Sequence, residues 1–199
     1  ALHIAAFKTY IPFFVCPSAP GEGADPDGYG YCHYSATVYT DVDPSTGIRN
    51  KATRANGAMH AKGSKIADVI DGASNTIALA EDAGRNEKFL SAYPDPMGNT
   101  NRKFWRWAEP DNGFGVSGDP LNTRKAINNN PAPFGGPSGC PWPSNNCGPN
   151  DEIFSFHTGG ANILFLDGHV SFVKDTIDAT LIRRLVTAQG QEPPFDYEN

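Results

Sequence analysis

This sequence predicts an α+β domain dominated by strands, with long stapled loops, a C-terminal β-hairpin and a helix after it. Three observations lead there. Two apolar runs, residues 161–166 and 169–173, flank Asp167-Gly168. Asp-Gly between strands is the strongest short hairpin signal, because both central positions of a type I′ turn need positive φ. Residues 34–40 (Tyr-Ser-Ala-Thr-Val-Tyr-Thr) alternate and are rich in β-branched and aromatic side chains, the pattern of a half-buried strand. The 199 residues include 21 Gly and 17 Pro with no Gly-X-Y period, which implies many turns and ordered loops and excludes collagen. Residues 1–199 are read as one domain, long enough to bury a core.

In chain order, residues 1–15 mix apolar and aromatic side chains and are expected to include a strand ending at Val15. Residues 17–31 are a Gly/Asp/Pro-rich loop. After the strand at 34–40, residues 41–63 are polar and carry no clear period. Residues 65–69 lead into the turn Asp71-Gly72-Ala73-Ser74-Asn75, where Asx side chains suit bonds to backbone amides. Residues 76–80 read as a short buried strand ending at Glu81, and residues 104–108 as another. Residues 110–150 are nearly all Gly, Pro, Asn and Ser and read as one long loop. A loop that long in a compact domain is functional or stapled. A two-residue hairpin turn pairs Phe165 with Val170 and Ile163 with Phe172, so these four would form one core face. Asp178 caps a helix over 179–189 with Gly190 as its stop. Leu181, Ile182, Leu185 and Val186 form its apolar stripe, and Arg183 and Arg184 suit the negative end of its dipole.

Cys16, Cys32, Cys140 and Cys147 fall into two local pairs, neither with C-x-x-C spacing, which disfavours zinc and thioredoxin motifs. Three pairings exist. Local loop closure favours 16–32 and 140–147, each bridge contributing roughly 2–3 kcal/mol. Disulfides imply an oxidising compartment, extracellular, periplasmic or at the cell envelope.

The net charge is -6 and no Lys/Arg stripe is present, which argues against nucleic acid and anionic membrane surfaces as partners. No run approaches the roughly 18 apolar residues of a membrane span. The chain opens at Ala1 rather than Met and is read as a processed or truncated piece.

Cys16-Pro17-Ser18, Asp71-Gly72-Ala73-Ser74-Asn75-Thr76-Ile77 with Glu81, Phe156-His157, Gly159-Gly160-Ala161-Asn162 and Asp167-Gly168 occur in that order. This set resembles a large bacterial family with a prepilin-type-processing-associated H-x9-D-G domain at its C-terminus. His157, nine residues, then Asp167-Gly168 fits that signature. The resemblance spans Cys16 to about Gly190 and implies a pseudopilin-like head, exported and processed by a prepilin peptidase. It implies an N-terminal hydrophobic anchor helix, which this stretch lacks, as the only route to a membrane. It implies protein partners, either copies of the chain or an envelope or secretion complex. His169 departs from the small Ser that commonly follows Asp-Gly in the family.

The residues that could carry chemistry are few. His157 and Asp167 would lie roughly 20–30 Å apart on an extended segment, so they are read structurally: Asp167 in the turn, His157 bonded to the Gly159-Gly160 backbone. Glu81 and Asp82, with Asp151 and Glu152, are candidate oxygen ligands for Ca²⁺, and calcium in C-terminal loops of pseudopilins supports that reading. No EF-hand loop, G-x-S-x-G, H-E-x-x-H or P-loop is present, which favours an assembly role over catalysis. Trp105, Trp107 and Trp142 are candidates for stacking on sugars, and with the loop carboxylates they support an alternative reading: a secreted glycan-binding or glycan-cleaving protein.

Overall fold

The computed structural model describes residues 2–20, 23–60, 62–85, 103–109, 112–118, 126–129, 138 and 152–190. The N-terminal segment is a short helix, α1 (Leu2–Phe7), then a 3-10 turn at Pro12–Phe14. The expected strand ending at Val15 does not form. Pro12 has no N–H for a ladder and its fixed φ suits the first position of a helical turn.

The main sheet is built from β1 (Tyr34–Thr40), β2 (Ala55–Asn56), β3 (Ile77–Glu81), β4 (Phe114–Val116), β7 (Gly160–Phe165) and β8 (Val170–Lys174), in the order β2-β1-β3-β7-β8. β4 lies beside β1 and runs parallel to it, while the other pairings are antiparallel. Two further strands, β5 (Ile127–Asn129) and β6 (Ile153–Ser155), pair in parallel. This strand-rich sheet with a C-terminal helix is the expected α+β class. β4 and β5 fall inside the stretch 110–150, which is therefore not loop throughout. Phe114 and Val116 find a partner in β1, and Ile127 finds one in Ile153. Triplets this short carry no readable period. The expected strand at 104–108 is instead two turns touching Tyr31 through a single bridge at Arg106.

The hairpin forms one residue out of the expected register. Leu164 faces Val170, Ile163 faces Ser171 and Asn162 faces Phe172. The Gly168 N–H donates to Phe165 O and the Phe165 N–H to His169 O. Gly168 sits at φ 94. This is a type I turn over Leu166-Asp167 closed by a glycine bulge, a three-residue loop in place of a two-residue one. Shifting by one residue turns β8 over. Ile163 and Phe165 stay in the core, but Val170 and Phe172 are 63% and 46% exposed, and Val173 takes the inward position.

One continuous core joins Ile77, Phe114, Val116, Ile127, Ile153, Ile163, Phe165 and Val173 to Ile182, Leu185 and Val186 of helix α2 (Ala179–Val186). Asp178 Oδ1 accepts the Thr180 N–H at 2.8 Å, the expected cap. The helix ends three residues earlier than expected. Thr187 turns extended and bridges to Gly57, so the end of α2 is tied to the sheet edge. A smaller cluster of Tyr31, Trp105 and Phe154 lies near the N-terminal segment.

The two turns of the signature region dock on one another. Leu166 N donates to Thr76 O at 3.0 Å, and Asp167 N to Ala73 O at 3.2 Å. Asp71 Oδ2 accepts the Gly190 N–H at 2.7 Å, and Asn75 Nδ2 donates to Asp71 O at 3.2 Å. Gly72 holds φ 92 before the Ala73–Asn75 turn. The Asp71–Asn75 turn thus bridges the hairpin tip and the segment after α2.

At the other end of β7, Gly160 pairs with Lys174, and a Cβ on it would stand 2.1 Å from the carbonyl oxygen of Val173. Replacing Gly160 with Ala should therefore lower stability by about 1–3 kcal/mol, as overpacking does. Urea unfolding of Gly160→Ala checks this; an unchanged midpoint would contradict it.

Candidate functional site

Glu81 is the last residue of β3 and its side chain is fully buried. Its place in the sheet explains how the charge is tolerated. Ala80 pairs with Ile163, so Glu81 comes level with Asn162 of β7. Oε2 accepts the Asn162 N–H at 2.6 Å and Nδ2–H at 3.3 Å. Oε1 accepts no hydrogen bond of ordinary geometry and lies 3.3 Å from Nε2 of His157.

His157 follows β6, its N–H donating to Ser155 Oγ at 3.0 Å. Its two ring nitrogens face Cys16 and Ser18, where the sequence predicts a bond to the Gly159-Gly160 backbone. Nε2 faces Cys16 Sγ at 3.5 Å, and Nδ1 faces Ser18 Oγ at 3.3 Å. The edge of Phe172 covers the ring. Its side chain is 29% exposed, whereas Cys16 and Glu81 are fully buried.

Cys16 follows the 3-10 turn and is fully buried. Its N–H donates to His33 Nδ1 at 3.1 Å. Burial, together with the nearby Glu81 carboxylate, pushes the Cys16 thiol up, and burial with Cys16 and Glu81 beside it does the same to the Tyr34 phenol. The expected 16–32 disulfide does not form, and both cysteines are free thiols. Cys32 Sγ instead donates to Tyr34 O at 2.9 Å, and its thiol is also raised by burial. Cys140 and Cys147 lie outside the described residues, as do Trp142 and Asp151.

Among the described residues, Cys16, Glu81 and His157 are the one set of three ligating side chains, with donor atoms all within 4.8 Å of one another. Two chemistries use these residue types. In a nucleophilic relay, the thiol meets one ring nitrogen and the carboxylate orients the other. Here thiol and carboxylate both face the same Nε2, and the other ring nitrogen faces Ser18. Three donor atoms this close together could hold a metal ion.

Among the described residues, Glu81, Asp82 and Glu152 of the expected calcium set do not come together in one group. Asp82 points to the other face of the strand and pairs with buried Arg85 at 3.2 Å. Arg85 also donates to Ser35 Oγ and to Asn112. Glu152 is buried and accepts the Ser117 N–H at 3.0 Å. Glu81 therefore keeps company with sulfur and nitrogen rather than with carboxylates. Asp167 stays in the hairpin turn, bonded to His169 at 2.6 Å, and the His169 bonds hold its carboxyl below the usual carboxylate range. Trp105 is buried, its Nε1–H donating to Asp25 at 3.3 Å. Trp107 packs on Phe7 and Phe14 and donates to Thr9 O. The two indole N–H groups reach different partners.

The family model described as a protein of unknown function (DUF1559) matches residues 2–180. The chain belongs to that family. No curated protein and no solved structure matches the DUF1559 chain. The sequence points to Glu81 and His157 separately and to a disulfide for Cys16. Nothing local in the DUF1559 chain signals that positions 16, 81 and 157 meet. The faint trace is that Cys16, Glu81 and His157 all sit in the ordered motif set.

Behind the cluster, burial and the Arg85 charge hold His33 down to about 4 from its usual 6.5. The folded state therefore favours the neutral ring. That contribution is whole above pH 6.5 and is lost as pH falls from 6.5 through about 4. The loss should reach about 3 kcal/mol. Stability followed across this window should fall in the wild type and fall less in His33→Gln; equal slopes would contradict the assignment.

Proposed function

We propose that this DUF1559 chain is the extracytoplasmic head of a pseudopilin-like envelope component, with an assembly role. The family is associated with pseudopilin-like proteins, and His157 followed after nine residues by Asp167-Gly168 supports the finer H-x9-D-G reading. The observation that carries the proposal is the surface of the N-terminal segment. Ile4, Tyr10 and Phe13 are 52%, 50% and 89% exposed, and Phe7 and Phe14 lie beside them in the chain. Several large apolar side chains exposed along one short segment suit an interaction surface. Its area would be buried on assembly, with aromatic residues at the centre of the contact. The partner is a second copy or a protein of the envelope or secretion machinery.

Among the described residues no helix is long and apolar enough to cross a membrane. The glycan alternative draws no support from Trp105 and Trp107, whose rings serve the core and the α1 contact.

Photo-crosslinking in cells tests the reading. A crosslinking amino acid at position 13 should give discrete higher-mass adducts in the envelope fraction, and the same group at exposed Ser45 should not. Recovery in the cytosol without adducts would overturn it.

A further inference from the structure

The cluster of Cys16, Glu81 and His157 goes beyond an assembly role. We propose that Cys16 Sγ, Glu81 Oε1 and His157 Nε2 bind one Zn²⁺ ion, with a fourth position open to solvent.

The spacing of the donors is the first argument. Tetrahedral zinc with bonds of about 2.3 Å to sulfur and about 2.0–2.1 Å to nitrogen and oxygen sets its ligand atoms roughly 3.3–3.6 Å apart. Sγ and Nε2 stand 3.5 Å apart, and Nε2 and Oε1 stand 3.3 Å apart. Those two match edges of such a tetrahedron, and all three donor atoms lie within 4.8 Å of one another.

The second argument is the state of Glu81. The side chain is fully buried, yet only Oε2 is satisfied, by two donors of Asn162. Oε1 is aimed into the cluster with no hydrogen bond of ordinary geometry. A buried carboxylate oxygen left in that position is costly unless a cation or donor meets it. The Asn162 bonds fix the carboxylate so that one oxygen is presented, as outer partners do for metal ligands.

The third is His157. Ser18 Oγ at Nδ1 orients the ring and leaves Nε2 as the coordinating atom. The part-exposed imidazole is the side from which water or a partner's donor atom would reach a fourth position, the pattern of three-ligand zinc sites.

The donor set chooses the metal. One thiolate, one imidazole and one carboxylate suit a borderline-soft ion, whereas Ca²⁺ and Mg²⁺ take oxygen ligands. On binding, the Sγ–H bond breaks, the Sγ–Zn bond forms and the proton leaves to solvent. The ion would join three segments distant in sequence: the N-terminal turn, the end of β3 and the residues before β7.

The test uses the untagged chain, stripped with chelator under reducing conditions and titrated with Co²⁺ as a spectroscopic stand-in. One Co²⁺ per chain should give a thiolate-to-cobalt band in the near ultraviolet and the intense visible bands of four-coordinate cobalt. Zn²⁺ should displace it and raise the melting temperature, and Ca²⁺ should do neither. Cys16→Ser should lose the thiolate band, and the double variant Cys140→Ser/Cys147→Ser should keep it. His157→Ala lies at the exposed rim and should fold, with Zn²⁺ affinity reduced tenfold or more. The proposal is overturned if the wild type shows no thiolate band, if the band survives Cys16→Ser, if it vanishes in the Cys140/Cys147 variant, or if His157→Ala binds Zn²⁺ as tightly as the wild type.

Discussion

A carboxylate with no solvent exposure sits at the end of the central strand, and the surrounding structure is arranged to tolerate it. Removing an ionised carboxylate from water costs several kcal/mol even after relaxation. Glu81 meets part of that cost with two donors from Asn162 on Oε2, and its Oε1 faces the cluster that holds the Cys16 thiol and the His157 imidazole. Each partner comes from a different stretch of chain. The start of β7, the docking of the N-terminal turn and the path of the chain after β6 are all constrained by this one side chain.

The next residue repeats the problem on the opposite face. Asp82 is equally buried and has Arg85 as its counterion, and Arg85 is held in turn by Ser35 and Asn112. Alternation along the strand separates the two acids, giving Glu81 neutral and ligating partners and Asp82 a guanidinium. β7 then spans two fixed points. Its first residue, Gly160, lies close to the backbone of Val173 beside the Glu81 cluster, and the turn after its last residue docks on the Asp71–Asn75 turn. A six-residue strand is about 20 Å long, which accounts for the interval between His157 and Asp167-Gly168 as the distance between two anchor points. Family membership, the sheet and the cluster thus describe one mechanical unit around β3 and β7.

Local patterns were legible where local physics decides. The strand Tyr34–Thr40, the short strand closing at Glu81, the Asp178 cap and the hairpin all follow from alternation, capping and turn chemistry. The hairpin register was not, because Asp-Gly serves a two-residue turn and a glycine-bulge turn alike, and one residue of difference exposes Val170 and Phe172. Pro12 overrode the apolar character of the N-terminal segment. Cys16 read as half of a local disulfide because loop closure favours near neighbours in sequence. Its actual partners are 65 and 141 residues away, as the numbering of Glu81 and His157 shows. Long-range convergence on a buried charge leaves no periodic trace in a single sequence.

The central claim is that Glu81 and His157 act together, and a double-mutant cycle of Glu81→Gln and His157→Ala measures that most directly. Urea unfolding of the four proteins in chelator separates the pairing of the side chains from any effect of metal. The account predicts a coupling energy of about 0.5–3 kcal/mol, the range for residues in direct contact within one polar network. Two effects that simply add, within about 0.5 kcal/mol, would mean that the carboxylate is stabilised without the imidazole and would contradict it.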